Sequence, residues 1–380
     1  MKRLNVCLIS KYPPHKGGTS SGIYWYARTL GSLGIKVHVV TDTAQGESAF
    51  RSSPEYEPKN VTVHAVNKGE SLESTASSLT DKIIEVVKDF EIDILDSKYL
   101  IPYGMAAKKA KEKTGLPLVI KHGGSDLQRL NKKKDKTLLD VLRSADLIST
   151  SPSRESFFIK RGIEKDKLTF ESGFGVNHDF FGPHVKPFDI PVLLDYKRPV
   201  IGLFGKILHK KGLEETIRAL SCIDEDFTLL LIPESHKEIV KTRVKRNGIQ
   251  EKTIVMDYQP PWVMPSLYAF SIIVVAMDIG MKIKTHIPLT GIEALNAGTC
   301  VVTNKETFGK PFFNQFEDNA SIVVVDPGDT GCYGKRLSSL IKNPDKAKSI
   351  GLAAKELCKK HDGRILAENM IKLYDKLVNK

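Results

Sequence analysis

The chain has 380 residues, of which 41% are apolar and 27% charged, and it carries a formal net charge of +12. This length exceeds one ordinary hydrophobic core and suggests two domains, while the apolar share excludes a disordered tail protein or a fibrous repeat. The longest apolar runs, such as Ser271–Met277, have about seven residues against the ~20 that a membrane span needs, so we expect no spanning helix.

Short β-branched runs alternate with helical stretches along the amino-terminal half. Apolar stripes at helical spacing predict helices such as Ser21–Leu33 and Leu79–Phe90. The predicted strands are Leu4–Ser10, Lys36–Thr41, Val61–Val66, Ile92–Asp96, Leu116–Lys121, Leu147–Thr150 and Leu168–Glu171. Because strands and helices alternate, we predict a parallel sheet with helices on both faces.

The alternation stops at a proline-rich stretch and then restarts. Phe181–Pro199 contains four prolines and no hydrophobic periodicity, which is typical of an interdomain linker. Six further strands are predicted at Val200–Phe204, Thr228–Ile232, Thr253–Asp257, Ile272–Ala276, Thr299–Thr303 and Ser321–Val325. We therefore predict an α/β chain of two doubly wound, Rossmann-like domains, residues 1–182 and 200–363, joined by a linker at 183–199 and followed by a last helix within 364–380. In such sheets ligands bind beyond the carboxyl ends of the strands, so a cleft between the domains is the expected working site.

The cysteines indicate the redox environment of the protein, and the charge distribution indicates its possible partners. Five cysteines without a short pair spacing predict a reducing cytoplasm and neither a disulfide framework nor a zinc site. Acidic pairs such as Asp93/Asp96 are joined by no further ligands, so we predict no metal. Lys98–Lys167 carries 17 Lys and Arg against 8 Asp and Glu. This stretch is either a basic face for anionic lipid, nucleic acid or phosphorylated substrates, or a solvated lysine-rich surface.

Two loops of the amino-terminal domain could carry chemistry. Gly17 and Gly18 precede the first helix, where glycine permits close backbone approach and free N–H groups face an anion; a plain tight turn fits equally well. The G-x-G-x-x-G spacing of dinucleotide-binding proteins is absent. His122 ends a strand before two glycines, where it can transfer a proton or simply satisfy backbone groups. Asp126 could equally belong to this site or be the N-cap of the following segment.

The first loop of the carboxyl-terminal domain concentrates positive charge. Lys206 and Lys211 leave from a strand end, with Lys210 between them and a helix amino terminus behind them. Such a loop suits a diphosphate, whose departure requires that its negative charge be neutralised. It is not a Walker loop, because the order G-x-x-x-x-G-K-[ST] is absent.

A later loop of the same domain leads into a helix that begins near Pro288. A proline there leaves the N–H groups of Leu289, Thr290 and Gly291 pointing outward, which predicts an anion site. Glu293 lies one turn into this helix. Its carboxylate either accepts hydrogen bonds from a ribose diol or complements the helix dipole.

Together these features resemble a known family. In chain order they are the Gly17-Gly18 loop, His122-Gly123, Lys206 with Lys211-Gly212, and a helix with Glu293-Ala294-Leu295 followed by Gly298-Thr299. This set resembles the retaining glycosyltransferases of family 4, which have the two-domain GT-B fold. Ala145–Ser151 and Gly175–Phe181 are similar to connecting segments of that family, so the resemblance covers essentially the whole chain.

The resemblance implies a retaining, metal-independent hexosyltransferase. A sugar would pass from a nucleotide-diphosphate sugar, such as a UDP- or GDP-sugar, to a glycan, lipid or small-molecule acceptor, with no further cofactor. The second domain would hold the donor and the first the acceptor, and the last helix, 364–380, would cross back to the first domain. The leaving phosphate would take the acceptor's proton, so no dedicated base is required.

The resemblance also implies roles for individual residues. Lys206 and Lys211 would neutralise the diphosphate as catalytic and donor-binding residues, and Glu293 would hold the ribose. The amides of Leu289 and Thr290 would meet the phosphates, Gly17 and Gly18 would border diphosphate and acceptor, and His122 would lie by the transferred sugar as a catalytic residue. Thr19 and Asp126 are candidate acceptor contacts.

The sequence departs from the family pattern at several positions. Lys206 replaces the usual Arg, Thr285 replaces a glutamate that contacts donor-sugar hydroxyls in relatives, and Pro288 and Pro233-Glu234 replace glycines. These departures keep an alternative open, a non-catalytic GT-B-fold protein that binds a nucleotide or glycan. We expect no nucleic-acid partner, because the lysines lack aromatic interleaving. We expect a cytoplasmic protein that associates peripherally with an anionic inner membrane surface through Lys98–Lys167.

Overall fold

A computed structural model describes residues 4–43, 50–133, 136–170, 176–182, 198–208, 210–280, 287–308 and 310–379. The chain divides into two compact units. Unit 1 comprises Met1–His15, Thr19–Gly175 and Gly363–Lys380, and unit 2 comprises Lys16–Gly18 and Val176–Asp362. Most of the predicted linker, residues 183–197, lies outside the described residues.

Unit 1 is built on a seven-stranded parallel sheet. Its strands are β1 (Asn5–Ile9), β2 (Lys36–Thr43), β3 (Val61–Asn67), β4 (Ile94–Lys98), β5 (Leu118–Lys121), β6 (Leu147–Ser149) and β7 (Leu168–Thr169). The strand order is β3-β2-β1-β4-β5-β6-β7, with all described pairings parallel. Its first six helices are α1 (Gly18–Ser32), α2 (Leu72–Phe90), α3 (Met105–Thr114), α4 (Gly124–Lys133), α5 (Lys136–Ser144) and α6 (Glu155–Ile159).

Helix α2 begins seven residues earlier than the apolar stripe predicts. The cause is a capping box at Ser71: its hydroxyl accepts from the Ser74 N–H at 3.0 Å, and its own N–H donates to Ser74 Oγ at 3.0 Å. This exchange satisfies two amides that a helix leaves without partners and fixes its first turn. Leu79 and Ile83 then bury the stripe against the sheet.

Unit 2 repeats the architecture with six parallel strands. They are β8 (Val200–Gly205), β9 (Thr228–Pro233), β10 (Thr253–Val255), β11 (Ile273–Val275), β12 (Cys300–Asn304) and β13 (Val323–Val325), in the order β10-β9-β8-β11-β12-β13. The helices are α7 (Leu213–Ser221), α8 (Lys237–Arg246), α9 (Met264–Phe270), α10 (Leu289–Ala297), α11 (Lys305–Phe308), α12 (Thr330–Lys342) and α13 (Pro344–Cys358). No helix among the described residues is both long and apolar enough to cross a membrane.

Both sheets reverse their strand order beside the first strand of the unit. In unit 1 the reversal lies between β1 and β4, and in unit 2 between β8 and β11. In doubly wound sheets the loops leaving the strands on either side of this point diverge, and the crevice between them is where ligands bind. In unit 2 the loops that follow β8 and β11 therefore border the expected ligand crevice.

The last helix, α14 (Gly363–Val378), packs on the sheet of unit 1. Its Tyr374 hydroxyl donates to the carboxylate of Asp96 on β4 and lies 2.8 Å from the hydroxyl of Tyr26 on α1. The ammonium of Lys121 pairs with the same carboxylate. All four side chains are buried, and Asp96 and Tyr26 raise the pKa of Lys121 although burial alone would lower it. A charged, hydrogen-bonded cluster thus anchors the end of the chain.

Candidate functional site

The loop after β8 turns sharply at a glycine. Gly205 has φ +94°, a conformation that side chains rarely adopt, and its carbonyl accepts from the N–H of Glu234 at 2.8 Å. A methyl group built on Gly205 would lie 3.8 Å from Thr290 Cγ2, so this turn lies beside the start of α10. Lys206 follows with a 61% exposed side chain, and its Nζ lies 3.8 Å from Glu234 Oε1. Lys206 is thus exposed enough to reach a ligand.

Lys211, in contrast, is held in a buried ionic cluster. Its ammonium pairs with one carboxylate oxygen of Asp278, and the ammonium of Lys310 pairs with the other. Asp278 is fully buried, and the side chains of Lys310 and Lys211 are 6% and 16% exposed. Burial lowers the pKa of Lys211, Asp278 opposes that effect, and the nearby charges of Lys310 and Lys206 add to it. Two lysines that share one carboxylate leave positive charge at the switch point of the sheet.

The backbone around Asp278 is fixed by neighbouring polar side chains. Its N–H donates to Thr307 Oγ1 and its carbonyl accepts from Asn304 Nδ2, each at 2.8 Å. Thr307 Oγ1 in turn donates to Asn304 Oδ1 at 2.8 Å. Since Asn304 ends β12 and Asp278 follows β11, the cluster joins two strand ends, and it presents Lys211 in one geometry.

Helix α10 begins at Leu289, as its proline predicts. Pro288 is the N-cap, and the Leu289 and Thr290 amides have no acceptor among the described residues. The prediction for Gly291 was wrong in one respect: its N–H donates to the Pro288 carbonyl at 3.0 Å, which closes the first turn. A methyl on Gly291 would lie 3.2 Å from Ala276 Cβ, so the amino terminus of α10 lies against the loop that carries Asp278. Two amides, not three, are available for an anion.

Glu293 is 2% exposed on the inner side of α10. Its Oε2 accepts a 2.7 Å hydrogen bond from the hydroxyl of Tyr268 on α9. Burial and the Glu293 charge raise the pKa of Tyr268 well above its usual value, so the phenol remains a donor. The carboxylate is therefore oriented by a fixed neighbour, which is what a residue that selects a ligand hydroxyl requires.

In unit 1, His122 follows β5 and is held by Thr150, whose Oγ1 lies 2.8 Å from Nε2. Nδ1 is buried and has no hydrogen-bond partner in the part of the chain described. Burial, reinforced by the charges of Lys98 and Arg154, lowers the pKa of His122 to about 3. The imidazole is consequently neutral near pH 7, and it can exchange hydrogen bonds but carries no charge.

Asp126 and Thr19, the candidate acceptor contacts, both have partners within unit 1. Asp126 Oδ2 accepts from the N–H of Gly123 at 2.7 Å and of Leu100 at 3.3 Å, and burial raises its pKa. Asp126 is the third residue of α4, so it stabilises the start of that helix from within its first turn and is not the N-cap. Thr19 Oγ1 lies 2.8 Å from the Tyr99 hydroxyl, which joins the first turn of α1 to the segment after β4.

Gly17 and Gly18 lie at the start of α1, after β1. Gly17 has φ +102° and Gly18 is the first residue of α1, three residues earlier than predicted. Thr285 and Gly175 lie outside the described residues. Sequence reasoning missed Asp278, Lys310 and Tyr268, since no local motif marks them and only the order of the strands brings them to Lys211 and Glu293.

Comparisons with known proteins agree with this architecture. The model described as "Glycosyl transferases group 1" matches residues 187–357, and the model described as "Glycosyl transferase 4-like" matches residues 19–151. The chain belongs to these glycosyltransferases. The prediction of a glycosyltransferase and the predicted GT-B fold class are confirmed, and the protein is a transferase of this type.

A curated relative and several solved structures are similar to this glycosyltransferase. The alpha-maltose-1-phosphate synthase of Mycolicibacterium smegmatis is 27% identical over 198 residues, 48% of this chain, and the match spans about half (49%) of that relative's length. The structure of sucrose-phosphate synthase from Thermosynechococcus elongatus has a TM-score of 0.71 at 16% identity, covering 99% of both chains. Anabaena HepE, crystallised in complex with UDP-glucose, has a TM-score of 0.70 at 15% identity, covering 98% of this chain and 100% of its own. At these identities the likeness establishes the GT-B fold.

Proposed function

We propose that this glycosyltransferase moves a sugar from a nucleoside-diphosphate sugar to an acceptor hydroxyl and keeps the anomeric configuration. The observation that carries the proposal is the convergence of Lys206, the Lys211–Asp278–Lys310 cluster and the amino terminus of α10 at the switch point of unit 2. Cations and free helix amides at one place suit a diphosphate, and an anion there would be stabilised by both.

The proposed mechanism assigns each element of unit 2 a step. The Leu289 and Thr290 amides bind phosphate oxygens, and Glu293, oriented by Tyr268, accepts hydrogen bonds from the ribose hydroxyls. Lys206 and Lys211 neutralise the charge that develops as the sugar–phosphate bond breaks. The similarity to HepE, crystallised with UDP-glucose, supports a UDP-sugar as the first donor to try.

Retention follows in the proposal from departure of the diphosphate on the face that the acceptor attacks. The acceptor hydroxyl forms the new bond to the anomeric carbon, and its proton passes to the leaving phosphate oxygen. This proton route requires no dedicated base, and a neutral His122 suits hydrogen bonding to the sugar better than proton transfer. Lysines take the place of a divalent cation in this scheme, so turnover with excess EDTA should equal turnover without it.

A panel of nucleotide sugars tests the proposal directly. A donor that binds the folded protein raises its melting temperature, and release of the nucleoside diphosphate then shows chemistry. Nuclear magnetic resonance of the product reports the anomeric configuration. Inversion would refute retention alone, whereas a panel with neither binding nor release would refute the function.

The alternative of a non-catalytic nucleotide-binding protein gives a different result. Thr285 and Pro288, which depart from the family pattern, are the observations that favour it. A binder would raise its melting temperature with the nucleotide sugar yet release no nucleoside diphosphate, even over long incubation with candidate acceptors.

For the acceptor, we propose a membrane-linked glycan or lipid reached from the cytoplasmic face. The charge of Lys98–Lys167 supports this proposal, although Lys121 is buried there and Lys111 pairs with Asp146. Lys113 and Lys160 remain exposed, and each lysine near an anionic surface contributes about 1 kcal/mol. The protein should co-sediment with anionic liposomes at low salt, and the pair of variants Lys113→Glu and Lys160→Glu should weaken that binding. Failure to co-sediment would contradict the membrane proposal.

A further inference from the structure

A small cavity lies at the carboxyl ends of β8 and β9, next to the proposed diphosphate site. Its volume is about 170 Å³, and it is lined by Gly205, Lys206, Ile207, Leu208, Glu234 and Ser235. One water occupies about 30 Å³ of liquid, so this space admits a ligand fragment of several heavy atoms rather than a whole nucleotide. Its lining contains both a cation and a carboxylate, so the cavity suits a polar ligand group.

One carboxylate oxygen of Glu234 lacks a hydrogen-bond donor among the described residues. The backbone of Glu234 is fixed by the 2.8 Å bond to the Gly205 carbonyl, and Oε1 lies 3.8 Å from the ammonium of Lys206. Oε2 is buried and has no hydrogen-bond partner among residues that the structure describes. A buried acceptor without a donor is costly, and native proteins retain such groups mainly where water or a ligand satisfies them.

The chemistry of the missing partner follows from charge. A carboxylate accepts hydrogen bonds and repels phosphate, so the partner of Oε2 must be an O–H or N–H group and not the diphosphate itself. Gly205, which lines the cavity, lies beside Thr290, whose amide is assigned to phosphate, and Glu293 is assigned to ribose. The nucleobase is separated from the diphosphate by the ribose, whereas the transferred sugar is bonded directly to the diphosphate. Because the cavity shares Lys206 with the proposed diphosphate site, we assign the transferred sugar to it.

We propose that Glu234 determines donor-sugar specificity: its buried carboxylate oxygen accepts a hydrogen bond from a hydroxyl of the transferred sugar. This inference rests on the proposed function. It also accounts for one departure from the family pattern, since Glu234 provides a carboxylate in a chain that has Thr285 where relatives place a sugar-contacting glutamate. In this arrangement the ammonium of Lys206 lies between two anionic groups, the Glu234 carboxylate and the diphosphate, and it balances the charge of both.

The test compares a nucleotide with its sugar conjugate on the same protein. Binding of UDP and of UDP-glucose (or GDP and GDP-mannose, if the panel selects guanine) is measured calorimetrically on the parent, Glu234→Ala and Glu234→Gln. Loss of a hydrogen bond to a charged acceptor should weaken binding of the sugar conjugate about 10- to 100-fold in Glu234→Ala. UDP binding should stay within about twofold or strengthen, since a negative charge near phosphate is removed.

Donor analogues that each lack one sugar hydroxyl complete the test. On the parent, one analogue should lose affinity by about the same 10- to 100-fold, and on Glu234→Ala that difference should vanish. Glu238→Gln is the matched control, because Glu238 is a 79% exposed carboxylate four residues away that pairs with Lys241. Its binding of both ligands should equal that of the parent.

The possible outcomes separate this inference from the proposed function. Equal weakening of UDP and the sugar conjugate in Glu234→Ala would overturn the sugar contact and assign Glu234 to the nucleotide or to the fold. A clearly lowered melting temperature of ligand-free Glu234→Gln would likewise oppose the inference, since an isosteric change at an unsatisfied buried acceptor should not destabilise the protein. A parent that binds neither ligand contradicts the proposed function instead.

Discussion

Replacing Asp278 by Asn should sharply destabilise unit 2. Asn preserves the shape of the side chain, so no cavity forms, but the ammonium groups of Lys211 and Lys310 lose the carboxylate charge that they share. Asp278 is 0% exposed and the two lysine side chains 16% and 6%, so water replaces little of the lost pairing. Breaking a buried ion pair by removing one partner costs about 3–5 kcal/mol, and we expect a loss of unfolding free energy in that range.

The two tryptophans allow this loss to be assigned to one unit. Trp25 lies in unit 1 and Trp262 in unit 2, so a Trp25→Phe background leaves one indole that reports unit 2 during urea unfolding. The matched control is Asp257→Asn, whose carboxylate is 82% exposed and pairs with Lys237. Exposed pairs contribute little, so the control should show the transition of the parent.

A result near the parent would refute the reasoning. If Asp278→Asn unfolds within about 1 kcal/mol of its background, the shared-carboxylate account is wrong, because a buried pair cannot be broken at so small a cost. In the folded variant, loss of the Asp278 charge should also lower the pKa of Lys211 further, since that charge now opposes the effect of burial. Chemical labelling of Lys211 as a function of pH measures this second effect.

Three further predictions concern other buried groups. Burial lowers the pKa of His122 from 6.5 to about 3, so the folded protein holds a neutral imidazole. Below pH 6.5 unfolding is therefore accompanied by proton uptake. The unfolding free energy of unit 1 should fall by about 1.4 kcal/mol per pH unit from this residue. His122→Gln should lack that part of the slope in urea titrations followed by Trp25, and an unchanged slope would contradict the burial argument. Tyr374→Phe removes a donor to buried Asp96 and should cost unit 1 about 1.5–3 kcal/mol, which the same titration measures; a cost near zero would show that water replaces the phenol. Glu293→Gln should weaken binding of a nucleoside diphosphate about 10-fold or more in calorimetry, whereas the corresponding nucleobase should bind the variant and the parent alike.

The fold could be predicted from sequence because its determinants are local. Each predicted strand is present within a few residues, since runs such as Thr228–Ile232 are buried on both faces and carry no helical stripe. The boundaries that were missed depend on single side chains. Helix α2 begins early because Ser71 and Ser74 cap it, and the apolar stripe does not report a capping box.

The candidate site could be predicted only in part, for the same reason. Lys211 and Glu293 are marked by neighbouring glycines and a helix start, but their partners Asp278 and Tyr268 are 67 and 25 residues away in sequence. Strand order, which brings β8 beside β11, determines these contacts, and no local pattern encodes that order. The charge environment of Lys211 also differs from the expectation. The sequence predicts a lysine available for phosphate, whereas in the structure its ammonium is already paired with the buried carboxylate of Asp278.

The most direct measurement is the turnover of Lys211→Ala with the donor and acceptor that the parent uses. Lys241→Ala is the matched control, since Lys241 is a 48% exposed lysine of the same unit on α8. If Lys211 neutralises the departing diphosphate, its loss should lower kcat about 100-fold or more, while the control retains the parent's rate. Equal turnover in Lys211→Ala and the parent would contradict the proposed site and the mechanism built on it.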